Sequence, residues 1–218
     1  MALHHSPKIV TSGLILSLDA KDINSYPDNG LIWYDLSSSQ VNAELPGSII
    51  DGSNYLEFRN SSSSVGSLNT GSLETTMECW FYVPAGGSYG GCCETIFGKY
   101  YFRTFLIGQF LYTMIGFANP DGSYNTYQHP AYAIEYDTWI HTVGMRRGDR
   151  YIIWLNGVEV YNTGFGEGLP LYDTMGGLLI SDPDHSLIRI GSARIYNRGL
   201  TDSELLQNYN AHKNRFGR

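Results

Sequence analysis

Charged side chains are scarce: Lys, Arg, Asp and Glu together make up 16% of the 218 residues. That argues against disorder, because a chain stays unfolded when it has little to bury and much like charge to spread. Basic clusters are nearly missing too. The 14 Lys and Arg are scattered apart from Arg146, Arg147 and Arg150 and the end from Lys213 to Arg218, against a net charge of −7. Neutralising a phosphate backbone takes a clustered basic face, so no nucleic-acid partner is expected, and the basic end reads as a solvated helix end. No apolar run approaches the roughly 18 residues of a membrane-crossing helix. The opening Met1, His4, His5, Pro7 and Lys8 lacks the apolar stretch of a signal peptide. A soluble, unprocessed chain without membrane insertion is therefore expected.

Cysteine is rare as well. Cys79, Cys92 and Cys93 make an odd count without metal-ligand spacing. Free thiols are the default reading, and a bridge from Cys79 to Cys92 or Cys93 stays open.

What the chain does have is aromatic rings and glycine. With 14% aromatics, 17 Tyr and 25 Gly, it carries the residues that fit pleated surfaces and supply the positive φ of tight turns. A chain of this length can form one large core, and a domain of this size needs neither disulfide nor metal to be stable.

Strand patterns dominate. Residues 13–18, Tyr55 to Phe58 and Met77 to Val83 alternate or run apolar between turn-rich segments, with Met77, Cys79, Phe81 and Val83 on one face. Pro84 and Gly86-Gly87 end the third. Residues 95–99, 102–105 and 111–117 read as successive antiparallel strands, followed by a turn through Asn119, Pro120, Asp121, Gly122 and Ser123. Arg150 to Leu155 and Val158 to Tyr161 flank Asn156-Gly157, the strongest short signal for a two-residue hairpin, because a type I′ turn needs positive φ at both centres. Residues 187–191 and 192–196 read as the last strands. Thr201-Asp202-Ser203-Glu204 then forms a capping box that opens a helix at about 203–213, with Leu205, Leu206 and Tyr209 available to pack. No internal repeat or linker divides the chain. The expected organisation is an N-terminal arm over 1–12 and a single domain over 13–218.

Four segments, in this order, resemble the laminin-G-like branch of the concanavalin A-like lectin/glucanase superfamily. They are Gly13 to Ala20 with Trp33 to Ser37, Met77 to Phe81, Thr138 to Gly144 leading into the Asn156-Gly157 hairpin, and Ala193 to Thr201. The ending from Glu204 to Phe216 looks especially like such domains in tailed-bacteriophage virion proteins. The resemblance implies an all-β, two-sheet antiparallel jelly-roll sandwich with a short C-terminal helix. It also implies a non-enzymatic virion structural or adhesion protein on the surface of a capsid or tail, made in the host cytoplasm. Its partners would be other virion proteins, a second copy of itself or a cell-surface glycan, and a free carbohydrate-binding lectin is the alternative.

Glycosidases of that superfamily place two carboxylates across the scissile bond, commonly as E-x-D-x-x-E on one strand. Here Glu135-Tyr136-Asp137 begins the pattern, but Ile140 stands where the last Glu belongs, so no catalysis is expected. Relatives also hold calcium on rim loops, which collect carboxylate and carbonyl oxygens. Asp19, Asp22 and Asn24, and separately Asp182 and Asp184, are the candidate ligands, though Asx turns use the same residue types. No cofactor is required for the fold. For sugars, an aromatic face with polar neighbours is the common arrangement, and Tyr89, Tyr100, Tyr101, Tyr124, Tyr127 and Tyr132 lie in or near the Gly/Asn-rich stretches that would present one. The six histidines lack zincin spacing, and no G-x-S-x-G elbow accompanies the serines.

Overall fold

The computed structural model describes residues 8–46, 49–52, 54–66, 68, 74–85, 94–99, 102–118, 121, 123–128, 131–164, 177–181 and 187–218. Two antiparallel sheets stack face to face. The first holds β1 (Leu14–Asp19), β4 (Ile50–Gly52), β5 (Tyr55–Phe58), β7 (Thr75–Tyr82), β13 (Trp139–Arg147), β14 (Arg150–Leu155), β15 (Val158–Gly164) and β17 (Ile188–Tyr196). The second holds β2 (Ile32–Trp33), β3 (Ala43–Glu44), β6 (Ser63–Val65), β8 (Glu94–Lys99), β9 (Phe102–Ile107), β10 (Phe110–Ala118), β11 (Tyr124–Gln128), β12 (Tyr132–Ala133) and β16 (Leu178–Ile180). In the first sheet the order is β15-β14-β13-β7-β17-β5-β4, with β1 also on β17; in the second it is β11-β10-β9-β8-β16-β6-β3-β2, with β12 on β10. The one helix among the described residues, α1 (Asp202–His212), lies against the outer face of the first sheet.

Alternation explains both sides of the first sheet. Met77, Cys79, Phe81 and Val83 join Leu16, Leu18, Ile190 and Ile195 in the core between the sheets, while Glu78 and Trp80 point the other way and are buried under α1. A second apolar cluster fills that outer side, with Val143, Met145, Ile152, Trp154, Tyr196, Leu200 and Leu205 in contact. The segments 187–191 and 192–196 form one strand rather than two. The pairing of β17 with β7 slips between Ile190 and Ser192, and the extra residue, Gly191, is the reason the inward positions change from Ile188 and Ile190 to Ala193 and Ile195. That slip turns Arg194 outward, opposite Glu78.

The helix starts where its cap dictates. Thr201 Oγ1 accepts the Glu204 amide at 3.3 Å, and the Glu204 carboxylate accepts the Thr201 amide at 2.9 Å. Leu205 and Asn208 are its buried residues. Leu206, expected to pack, is 41% exposed, since it lies about a third of a turn off that stripe.

The hairpin forms as its dipeptide requires, with φ of 49° at Asn156 and 79° at Gly157. The Asn156 side chain turns back to accept the His141 amide at 2.9 Å. A Cβ on Gly157 would stand 2.6 Å from the Tyr209 ring, so turn and helix are fitted to each other. Gly148 has a similar φ of 60° but open space around it. Gly157→Ala should therefore lower the melting temperature by about 5 °C or more, and Gly148→Ala by clearly less, because only the first adds a clash to the shared backbone strain. Equal losses in a thermal melt would refute the Tyr209 contact.

Candidate functional site

Between the first sheet and α1 lies a layer of charge. Glu78 and Arg194 have side chains 0% and 1% exposed, and the guanidinium donates to Glu78 Oε1 at 2.7 Å. Asn208 on α1 donates to the other oxygen, Oε2, at 2.8 Å and to the Tyr196 hydroxyl at 2.9 Å. Its own carbonyl oxygen accepts the Val10 amide at 2.8 Å, which ties the N-terminal arm to the same group. Burial pushes the Glu78 carboxyl up, but His141, Arg194 and Asn208 around it outweigh that and hold it down at about 2. His141 Nε2 stands 3.9 Å from Glu78 Oε1, too far for a hydrogen bond, so Arg194 and Asn208 make the closed contacts.

Asp19, at the end of β1, is the second carboxylate. It accepts from Arg215 and from the Lys21 amide, and its Oδ2 lies 3.6 Å from Arg194 and 3.7 Å from His212. Burial acts on Asp19 to raise its pKa, yet Arg215 and Arg194 bring it below the ordinary carboxylate value. His212 faces Arg194 Nη2 at 3.1 Å; burial and that guanidinium push it down to about 3, so it is neutral at physiological pH. Two carboxylates and two guanidiniums thus balance in the layer.

At the edge of this layer opens a cavity of about 430 Å³. The arm supplies Lys8, Ile9 and Thr11, β1 supplies Ser17 and Asp19, and the segment after β1 supplies Asp22 and Leu36. Arg194 from β17 and Ala211 and His212 from α1 complete the walls. A second cavity of about 250 Å³ lies between Glu135, Ile140, Asn156 and Arg218.

Of the residues singled out for calcium, Asp19 and Asp22 share the larger cavity. Asn24 is folded onto Asp22, whose Oδ1 accepts the Asn24 backbone and side-chain amides at 2.9 and 3.0 Å. Among the described residues, no group of three or more His, Cys, Asp or Glu is arranged to hold a metal. Asp182 and Asp184 lie outside the described residues, as do Tyr89, Tyr100, Tyr101, Cys92 and Cys93. Cys79 is a buried free thiol. Tyr124 and Tyr127 belong to β11. Tyr132, in β12, donates its hydroxyl to the Val160 carbonyl at 2.6 Å, a tie between the two sheets. The Asp137 carboxylate accepts from the Ala85 amide and the Tyr82 hydroxyl, Glu135 is exposed, and Ile140 is buried in the core.

An aromatic surface does form on the first sheet, where Tyr55, Tyr82 and Trp139 meet. It was not read from the sequence. The Arg189 guanidinium lies 4.8 Å and 5.0 Å from the two tyrosine ring centres, so those faces are already covered. Lys8, Arg194 and His212 were also missed. The signal for Arg194 was its outward phase opposite Glu78, which the slip at Gly191 concealed.

No family model and no curated protein matches the chain. Solved structures do. The binding domain of Paraclostridial mosquitocidal protein 1 superposes with a TM-score of 0.71 at 17% identity, over 93% of this chain and 53% of that one. The binding domain of botulinum neurotoxin DC, solved in complex with SialylT, gives 0.68 at 16% identity over 93% and 52%. A Trypanosoma rangeli sialidase in complex with sialic acid gives 0.61 at 16% identity over 94% and 34%. The chain thus spans about half the length of the toxin domains it matches.

These matches show the fold and correct the family expectation. In place of a concanavalin A-like, laminin-G-like jelly roll of tailed-phage virions, the solved structures are toxin binding domains and a sialidase. The ending from Glu204 to Phe216, which carried the phage likeness, has a local physical cause. Glu204 is the cap partner, Leu205 and Asn208 form the buried stripe, and Tyr209 and Phe216 stack on Trp80 with ring centres 5.6 and 4.6 Å away.

Two tests address the charged layer. Glu78→Leu leaves Arg194 buried without its carboxylate, a loss of about 3–5 kcal/mol, or roughly 10 °C in melting temperature. Glu78→Leu with Arg194→Leu should recover most of it, and a double variant as unstable as the single one would refute the pairing. Acid should act through His212 first. Its folded value of about 3 lies below the ordinary 6.5, so the unfolded chain binds the proton more readily and stability falls as pH drops below 6.5. Glu78, held at about 2 against an ordinary 4.5, adds a further fall below 4.5. Melting curves from pH 7.5 to 2.5 should show both falls, and His212→Asn should remove the first; a flat wild-type profile down to pH 5 would contradict the assignment.

Proposed function

We propose that this two-sheet sandwich, wound as a jelly roll, is a non-enzymatic, lectin-like domain that binds glycans noncovalently. The observation that carries the reading is the fold likeness, over more than nine-tenths of the chain, to binding domains of toxins, of which one was solved with SialylT and another with N-acetylneuraminic acid. Since the chain spans only about half of those domains, the likeness supports sugar binding as a class and does not transfer a sialylated ligand.

The residues argue against hydrolysis. Two carboxylates must face each other across a bond, yet Asp137 is held in a turn at φ 58° by Ala85 and Tyr82, and the third position of the pattern is the core residue Ile140. Calcium is not required in this reading, because the Asp19 carboxylate is matched to Arg215 and Arg194. A hard cation would have to displace both.

A glycan array probed with the purified chain, with and without chelator, tests the proposal. Binding to at least one class of glycan, unchanged by chelator, is the expected result. No signal on any glycan in either condition would defeat it, and release of reducing sugar from a bound glycan would defeat its non-enzymatic part.

A further inference from the structure

We propose that the cavity of about 430 Å³ between the N-terminal arm, β1 and α1 is the sugar pocket, and that its ligand is an uncharged pyranose residue. This rests on the glycan-binding reading above and gives it a place and a ligand class. The volume lies toward the lower end of small-molecule sites, about 300–1,000 Å³, which suits one ring.

The walls decide the chemistry. Lys8 and Arg194 are positive, Asp19 and Asp22 negative, and His212 is neutral, so the lining has no net charge. An anion would meet the two carboxylates and a cation the two bases. A sugar hydroxyl both donates and accepts, and the charged groups that make no ion pair among the described residues are one of each sign, Lys8 and Asp22, beside the Thr11 and Ser17 hydroxyls. The Lys8 ammonium makes no ion pair among the described residues. Asp22 spends Oδ1 on Asn24 and makes no hydrogen bond through Oδ2 among the described residues. A vicinal diol accepts from Lys8 through one oxygen and donates to Asp22 from the other. Ile9, Leu36 and Ala211 provide the apolar wall for the C–H face of the ring. The floor is rigid, because Arg194 is fixed by Glu78 and His212.

The test uses the full chain and an array of glycans ending in galactose, glucose, mannose or N-acetylhexosamine, each beside its sialylated counterpart. Lys8→Met and Asp22→Asn keep side-chain length and, for the second, the acceptor that closes the Asn24 turn. Neutral glycans should bind, each variant should weaken binding roughly 10-fold or more, and melting temperatures should stay within about 2 °C of the parent. Glu135→Gln, in the smaller cavity, should bind as the parent does. Glycan binding that survives both cavity variants, or that is lost in Glu135→Gln instead, overturns the placement and leaves the glycan-binding reading intact. Binding confined to sialylated glycans overturns the ligand class. Silence across the array overturns both readings together.

Discussion

The Glu78–Arg194 pair is the contact on which the rest of this architecture turns. Both side chains leave the first sheet on its outer face, and both are sealed from water. Burying such charges costs several kcal/mol per ion unless each lone pair and proton finds a partner. Asn208 from α1 satisfies the second Glu78 oxygen and is itself bonded to the Tyr196 hydroxyl and, through its side-chain oxygen, to the Val10 amide of the arm. Arg194 Nη2 faces His212 and Asp19, while Arg194 Nε finds no partner among the described residues. Strand β17 is fixed by its ladders to β1, β5 and β7, and the helix and arm are joined to it through Asn208. The pair therefore converts a short helix and an extended arm into fixed parts of the domain, in register with one strand.

Apolar contact adds area to that register. Trp80 sits between Glu78 and Tyr82 on the outward side of β7 and stacks on Tyr209 and Phe216, while Phe216 also closes over Gly191 and touches Trp139. Rings of this size bury a large area and prefer stacked or tilted packing, so they set how close the C-terminal segment can come. The charged pair sets which residue faces which. Without Gly191 the ring of Phe216 would have no room, since a Cβ there would lie 2.4 Å from it. One glycine thus serves the strand slip that turns Arg194 outward and the seat of the ring that covers it.

Much of this was legible in the sequence where the cause is local. The hairpin follows from Asn156-Gly157, the helix start from Thr201 and Glu204, and the core face of β7 from strict alternation at Met77, Cys79, Phe81 and Val83. Causes that act across the chain were not legible. Reading 187–191 and 192–196 as two strands mistook a phase change for an end, because a slip and a turn both break alternation. The burial of the outward Glu78 and Arg194 was not legible, since nothing local announces that a helix about 130 residues later will cover Glu78. Asp19, Asp22 and Asn24 were singled out for calcium because the resemblance put calcium on rim loops and their residue types suit it, and the structure places Asp19 and Asp22, but not Asn24, in the lining of one cavity. The fate of the Asp19 oxygens depended on Arg215, a residue 196 positions away. The family resemblance erred for a related reason: a cap, a stripe and two aromatic anchors are what any helix docking on such a sheet needs.

The cavity inherits its character from this arrangement. A pocket walled by a sheet edge and a helix would ordinarily take its field from whichever charges line it, and a surplus of either sign would select a charged ligand. Here the strand phase that brings Arg194 to Glu78 also brings it beside Asp19, and the helix stripe that delivers Asn208 delivers His212 one turn later. The buried pair uses up its own charge, Arg215 offsets Asp19, and His212 is kept without its proton by Arg194 and burial. What reaches the opening is the small remainder contributed by the arm and the loop after β1, one ammonium and one carboxylate oxygen. Because that remainder is set by surface residues and the floor by the core, recognition at this pocket can vary through Lys8, Asp22 and Leu36 without disturbing the layer that holds the helix.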